Sequence, residues 1–120
     1  MRALRIHRYG GPEVMQLEEV PVPSSPLLVK IHAASVNPVD WKIRQGLFGL
    51  PLPRTLGRDG AGEADGKRVM GIAPGGTHAE YAVFPENHWA PIPDAVSFEE
   101  AACLGIAGLS AWIPLVDMKS

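Results

Sequence analysis

The 120 residues read as a mainly β domain, a barrel or sandwich of short strands, with a helical segment at its C-terminal end. Two observations carry the β part. Several apolar runs alternate with period two, and the 13 glycines and 12 prolines lie between those runs rather than in one block. A third accounts for the end: from Ser97 the pattern changes to an Ala-rich stretch that opens with a helix-start signature.

Residues 2–8 alternate in the strand manner, and Met15 to Glu19 form a second short run. In "LLVKIHAA", Leu27, Val29, Ile31 and Ala33 share one face and Leu28, Lys30, His32 and Ala34 the other, as a half-buried strand requires. "SVNPVDWKIRQG" (35–46) reads as a short helix, with Asn37 as N-cap, Pro38 at the first helical position, Asp40 in the first turn and Gly46 at the close. Gly60 to Ala64 and Lys67 to Ile72 flank Asp65-Gly66, the chemistry of a two-residue hairpin turn. Thr77 to Phe84 is a further expected strand. Ser97, three residues before Glu100, predicts a helix from about Phe98; Gly105 and Gly108 are expected to weaken or break it. Ser110 is then expected to open a second turn through Trp112, with Pro114 inside it.

Composition excludes several classes. A formal charge of −2 with scattered Lys and Arg argues against nucleic acid as a partner. One cysteine, Cys103, permits no internal disulfide and reads as a small buried hydrophobe. Three arginines and a histidine within "MRALRIHRYGG" break any apolar run there, so the start is neither a secretory signal nor a membrane span, and a cytoplasmic protein is expected. His7, His32, His78 and His88 are dispersed, and no metal site is expected.

"RYGGPEVMQLEEVPVP", "VKIHAASVNPVDWKIRQG", "LGRDGAGE" and "GGTHAEYAVFPENHWAPIPDAVSFEEAACLGIAGLSAW" occur in an order that resembles the N-terminal domain of zinc-independent medium-chain dehydrogenases/reductases, the quinone oxidoreductase or zeta-crystallin branch. The resemblance runs from Met1 to about Trp112 and implies a GroES-like, partly open β-barrel over residues 1–96, with 97–120 a helical connector towards a Rossmann domain that binds NADPH. No G-x-G-x-x-G follows a strand here; Gly57, Gly60 and Gly62 have the wrong spacing and read as turn and close-packing positions. The sequence stops where that nucleotide domain would begin. A truncated chain, inactive alone, is the expectation. The excursion usual between "GAGE" and "GKRV" is also shortened here to Ala64-Asp65.

The resemblance implies hydride transfer from NADPH to a quinone or an α,β-unsaturated carbonyl, in a cleft between the two domains. Zinc-dependent relatives have a Cys near Asn37 and a His near Arg58, neither of which is present. Asn37 would help form the nicotinamide and substrate pocket, and Lys42 takes a place often held by Tyr, where it would polarise a carbonyl or hold an anionic group. Asp40 is the third catalytic candidate, and Ser110 joins Asn37 and Lys42 on the cofactor side, with a helix cap as its rival role. Tyr81 and Trp41 are candidates for the substrate pocket, with core packing as the alternative for both. The competing class is a non-catalytic binding module. An isolated copy is expected to expose sheet edges or apolar surface that favour a homodimer.

Overall fold

The computed structural model describes residues 1–118. Its strands are β1 (Arg2–Ile6), β2 (Gln16–Glu19), β3 (Leu28–Ala34), β4 (Arg54–Thr55), β5 (Asp59–Ala64), β6 (Lys67–Ile72), β7 (Tyr81–Val83) and β8 (Trp89–Pro91). Its helices are α1 (Pro38–Arg44), α2 (Phe98–Ala102) and α3 (Gly105–Trp112), the last running into a π-type turn at Ile113–Asp117. The strands form two sheets, ordered β2-β1-β4 and β7-β3-β5-β6-β8, with every pairing antiparallel.

The hairpin expected at Asp65-Gly66 is present. Both residues have positive φ, 50° and 75°, and Ala64 pairs directly with Lys67. The strand expected over 77–84 is shorter, because its first half serves two sheets. His78 O accepts from Leu4 N–H at 2.8 Å and Arg2 O accepts from Glu80 N–H at 3.1 Å, while Glu80 O accepts from Ile31 N–H at 2.9 Å. Residues 77–80 therefore join β1 to β3, and only Tyr81–Val83 ladders fully onto β3. The sheets meet along this seam without closing into a complete barrel.

Two strands have no counterpart in the sequence reading. β4 is two residues long and follows Pro53, and β8 is three and ends on Pro91, so neither displays a period. The core forms around the sheets in three parts. Val29, Val69, Ala82 and Phe84 pack inside the larger sheet; Ile6, Val14, Ile43 and Leu56 hold α1 against the smaller one. Ala101 and Ala102 of α2 pack on Ala61 and Ile92.

The capping box is made as expected: Glu100 N–H donates to Ser97 Oγ, and Ser97 N–H donates to the Glu100 carboxylate, both at 3.0 Å. Phe98 then stacks on His32 with ring centroids 4.2 Å apart and lies 4.7 Å from the Arg68 guanidinium carbon, which fixes α2 to β3 and β6. The helix that starts at Phe98 does end, at Ala102, just before Gly105, but no break follows at Gly108. Gly105 is the first residue of α3 and Gly108 lies inside it. Ser110 is also mid-helix, so it caps nothing; the N-cap position is Leu104, whose side chain makes no capping bond. Cys103, the C-cap of α2, is exposed rather than buried.

Candidate active site

α1 begins where β3 ends, and Asn37 is its N-cap, with φ −119° and ψ 159°. Pro38 needs no amide partner at the first position, and Asp40 Oδ2 accepts from Asn37 N–H at 2.7 Å. Asp40 thus serves the backbone of Asn37, and the Asn37 amide nitrogen has a partner outside the helix. That nitrogen, Nδ2, donates to Asp59 Oδ1 at 2.8 Å.

Asp59 is the residue that sequence reasoning missed. It is 1 % exposed at the start of β5, and its second oxygen, Oδ2, accepts from Ile106 N–H at 2.8 Å. One buried carboxylate thus holds the Asn37 amide and supplies the cap that Leu104 cannot give to α3. The same residue's carbonyl accepts from Thr77 Oγ1 at 2.9 Å, tying the sheet seam to this centre. Gly105 makes the approach possible: a Cβ there would lie 2.7 Å from Asp59 Cβ and 2.8 Å from Oδ2. A signal was present in the string, since an Asp set among Gly57, Gly60 and Gly62 in a strand segment has to find donors once buried.

Beside Asn37 lies a cavity of about 410 Å³, lined among others by Leu4, Met15, Trp41, Leu56, Asp40 and His78. The His78 ring donates through Nε2 to Ser35 O at 2.9 Å, since a carbonyl can only accept. The Ser35 hydroxyl in turn donates to the Ala102 carbonyl. The cavity wall is mostly apolar with a few converging polar groups, the usual make-up of a small-molecule site.

Three of the candidate residues, Asn37, Asp40 and Trp41, meet at this cavity. Lys42 does not line it; its ammonium sits 5.8 Å over the Trp41 ring. Tyr81 lines a different cavity, of about 380 Å³, with Arg5 and Thr55. Register explains the separation, for Tyr81 pairs with Lys30, four residues before the end of β3 at Ala34, whereas α1 starts beyond that end. At about 3.3 Å per residue this is on the order of 13 Å. Ser110 is exposed on α3, in a shallow hollow with Ile72, Ile106 and Pro114.

The Asn37 amide is committed to Asp59, and the Arg58 guanidinium has no lone pair to give. Among the described residues, no group of three or more His, Cys, Asp or Glu is placed to hold a metal.

Comparison with known proteins places this architecture. Residues 24–66 match the family described as the alcohol dehydrogenase GroES-like domain. The mouse quinone oxidoreductase is 38 % identical over 129 aligned residues, covering 92 % of this chain and 39 % of that protein. The quinone oxidoreductase of Coxiella burnetii superposes over 100 % of this chain and 46 % of its own, with TM-score 0.87 and 33 % identity. This chain is similar, over residues 24–66, to the alcohol dehydrogenase GroES-like domain.

The chain is also similar to the Escherichia coli quinone oxidoreductase complexed with NADPH, at TM-score 0.91 and 29 % identity over 100 % of this chain and 42 % of that one. The chain spans about two fifths of the length of the mouse relative. No helix among the described residues is long and apolar enough to cross a membrane.

Proposed function

We propose that this GroES-like domain is the substrate side of an NADPH-dependent quinone or enone oxidoreductase that works without zinc. The observation that carries the proposal is the buried Asn37 amide, held by Asp59 at the edge of an apolar cavity. The likeness to quinone oxidoreductases over the whole chain supports it.

The fit to a nicotinamide cofactor is partial and specific. A flat ring needs an apolar hollow with a positioned donor, which Asn37, Trp41 and Leu56 offer. A pyrophosphate needs a glycine-rich strand-turn-helix, which residues 1–120 do not contain. The chain's share is therefore the ring and substrate end. When bound, the nicotinamide supplies the hydride.

The chain's own residues orient and stabilise. Asn37 Nδ2 has two hydrogens; one is held by Asp59, and the other is free to donate to a substrate carbonyl oxygen as negative charge develops there. Asp59 keeps the nitrogen rather than the oxygen of that amide turned towards it, because a carboxylate accepts only from a donor. Leu4, Met15 and Trp41 keep the ring environment dry, and solvent supplies the proton that completes reduction. Lys42 acts as a positioning residue through the Trp41 ring, and Ser110 offers a hydroxyl on the connector, residues 97–120, to the cofactor side. Its single, exposed cysteine suits a reducing compartment such as the cytoplasm.

The test joins this domain to a nucleotide-binding domain and follows NADPH oxidation with 1,4-naphthoquinone. Asn37→Ala is expected to lower kcat by about 100-fold with an unchanged melting temperature, the scale of losing one donor to a developing oxyanion. Lys42→Met is expected to raise KM while kcat stays within about twofold. Unchanged kinetics in both variants overturn the proposal. The 120-residue chain alone is expected to show no saturable NADPH oxidation, and such oxidation would overturn that part.

A further inference from the structure

Residues 35–37 belong to neither β3 nor α1; they are the step between the two, and their path sets where the Asn37 side chain lies. Bonds from elsewhere in the chain hold that step. Ser35 N–H donates to Asp59 O at 3.3 Å, the Ser35 hydroxyl donates to Ala102 O, and Asn37 Nδ2 donates to Asp59 Oδ1 at 2.8 Å. These three ties all run to β5 and α2. The Ser35 carbonyl is held from a different place: His78, on the seam between the sheets, donates to it through Nε2 at 2.9 Å. Among the described residues no second donor reaches that part-buried carbonyl, so loss of the imidazole leaves it unpaired. Gly57 makes room for the ring. Its φ is +94°, and a Cβ there would lie 2.6 Å from His78 Cδ2.

We propose that His78 is a positioning residue for Asn37, fixing the Ser35 carbonyl so that the free hydrogen of the Asn37 amide stays aimed at the substrate oxygen. This rests on the reading of Asn37 as the donor to that oxygen and adds the group that sets its aim. The remaining ties draw the step towards β5 and α2 alone, so without His78 the peptide after Ser35 can turn and carry Asn37 with it. A displacement of about 1 Å at an orienting group costs up to about 100-fold in rate, and with Asp59 still holding the amide nitrogen the loss of His78 is expected to cost about tenfold.

The experiment joins the chain to a nucleotide-binding domain and follows NADPH oxidation with 1,4-naphthoquinone. His78→Phe keeps a ring and removes the donor, whereas His78→Gln returns an N–H near the place of Nε2. The first is expected to lower kcat about tenfold with KM within about twofold, and the second to restore kcat to within about threefold of native. In an Asn37→Ala background His78→Phe is expected to lower kcat no further, a coupling that general loosening of the fold does not produce. His78→Asn, whose amide is too short to reach Ser35 O, replaces the Phe variant in the same comparisons if that one does not fold. Native kcat without the donor, or a loss that multiplies with that of Asn37→Ala, overturns the positioning role and leaves the reading of Asn37 standing. An Asn37→Ala variant with native kcat overturns both.

Discussion

Replacing Asp59 by alanine withdraws the acceptor from two donors that have no other partner, Asn37 Nδ2 and Ile106 N–H, each 2.8 Å from a carboxylate oxygen. Hydrogen bonds to a charged group contribute about 1.5–3 kcal/mol each, so the gross loss is on the order of 3–6 kcal/mol. Relief of the desolvation of a carboxylate that is 1 % exposed offsets part of this, leaving a net cost of about 3 kcal/mol. Asp59→Asn should behave differently. Its remaining oxygen can stay on Ile106 N–H, its NH2 then faces Asn37, and the Asn37 amide can turn over so that its own oxygen accepts. Both contacts survive as neutral ones, and the cost falls to about 1–2 kcal/mol. The assay is urea unfolding of the 120-residue chain followed by circular dichroism. With m of about 2 kcal/mol/M, the alanine variant should lower the midpoint by about 1.5 M and the asparagine variant by about 0.5–1 M. Equal midpoints for the two variants, or an alanine variant within about 0.3 M of the native chain, would refute the claim that this carboxylate joins α1 to α3. A functional consequence follows from the amide turn. In the two-domain setting Asp59→Asn should lose kcat nearly as severely as Asn37→Ala while remaining folded, because the donor has become an acceptor.

Gly105→Ala should destabilise the domain by about 1–3 kcal/mol in the same unfolding assay, since its Cβ would lie 2.7 Å from Asp59 Cβ; a neutral effect would mean that α3 shifts freely. The Glu100 carboxyl is held below its ordinary value of 4.5, first by the hydrogen bond from Ser97 N–H and then by the Ser97 side chain. A depressed folded value contributes stability above the unfolded pKa and loses it as pH falls through the folded one, so Glu100→Gln should flatten the stability profile only below about pH 4.5. Carbon-13 titration of the Glu100 carboxyl should show the lowered midpoint directly. Phe98→Ala removes the ring between His32 and Arg68 and should cost about 2 kcal/mol, below the range for a fully buried Phe because this one is half-buried.

The helix at 38–44 shows how far local chemistry reaches. Asn37, Pro38 and Asp40 each favour a helix start through short-range bonds and a fixed φ, and that helix forms from Pro38 as the spacing predicts. The Asp65-Gly66 turn and the Ser97–Glu100 box are legible for the same reason: each is closed by atoms two or three residues apart. α3 shows where this ends. Gly105 and Gly108 argue for a break, and α2 does stop at Ala102, yet with Leu104 a poor cap a new helix runs from Gly105 through Gly108 to Trp112. Its cap comes from Asp59, 47 residues earlier, and the glycine that looked like a breaker is the one residue type that lets that carboxylate in.

The candidate site divides along the same line. Sequence alone placed Asn37, Asp40 and Trp41 in one window at the start of a helix, and the short strands and turns in their order, because spacing and capping act locally. It could not place Tyr81 relative to them, since that depends on β7 pairing with the far half of β3. Nor could it find Asp59, which becomes a partner of Asn37 only when β5 lies beside β3 and α3 packs behind both. Burial decides the rest. A carboxylate in water needs no particular neighbour, whereas one that is 1 % exposed must be met by donors from wherever the chain can bring them.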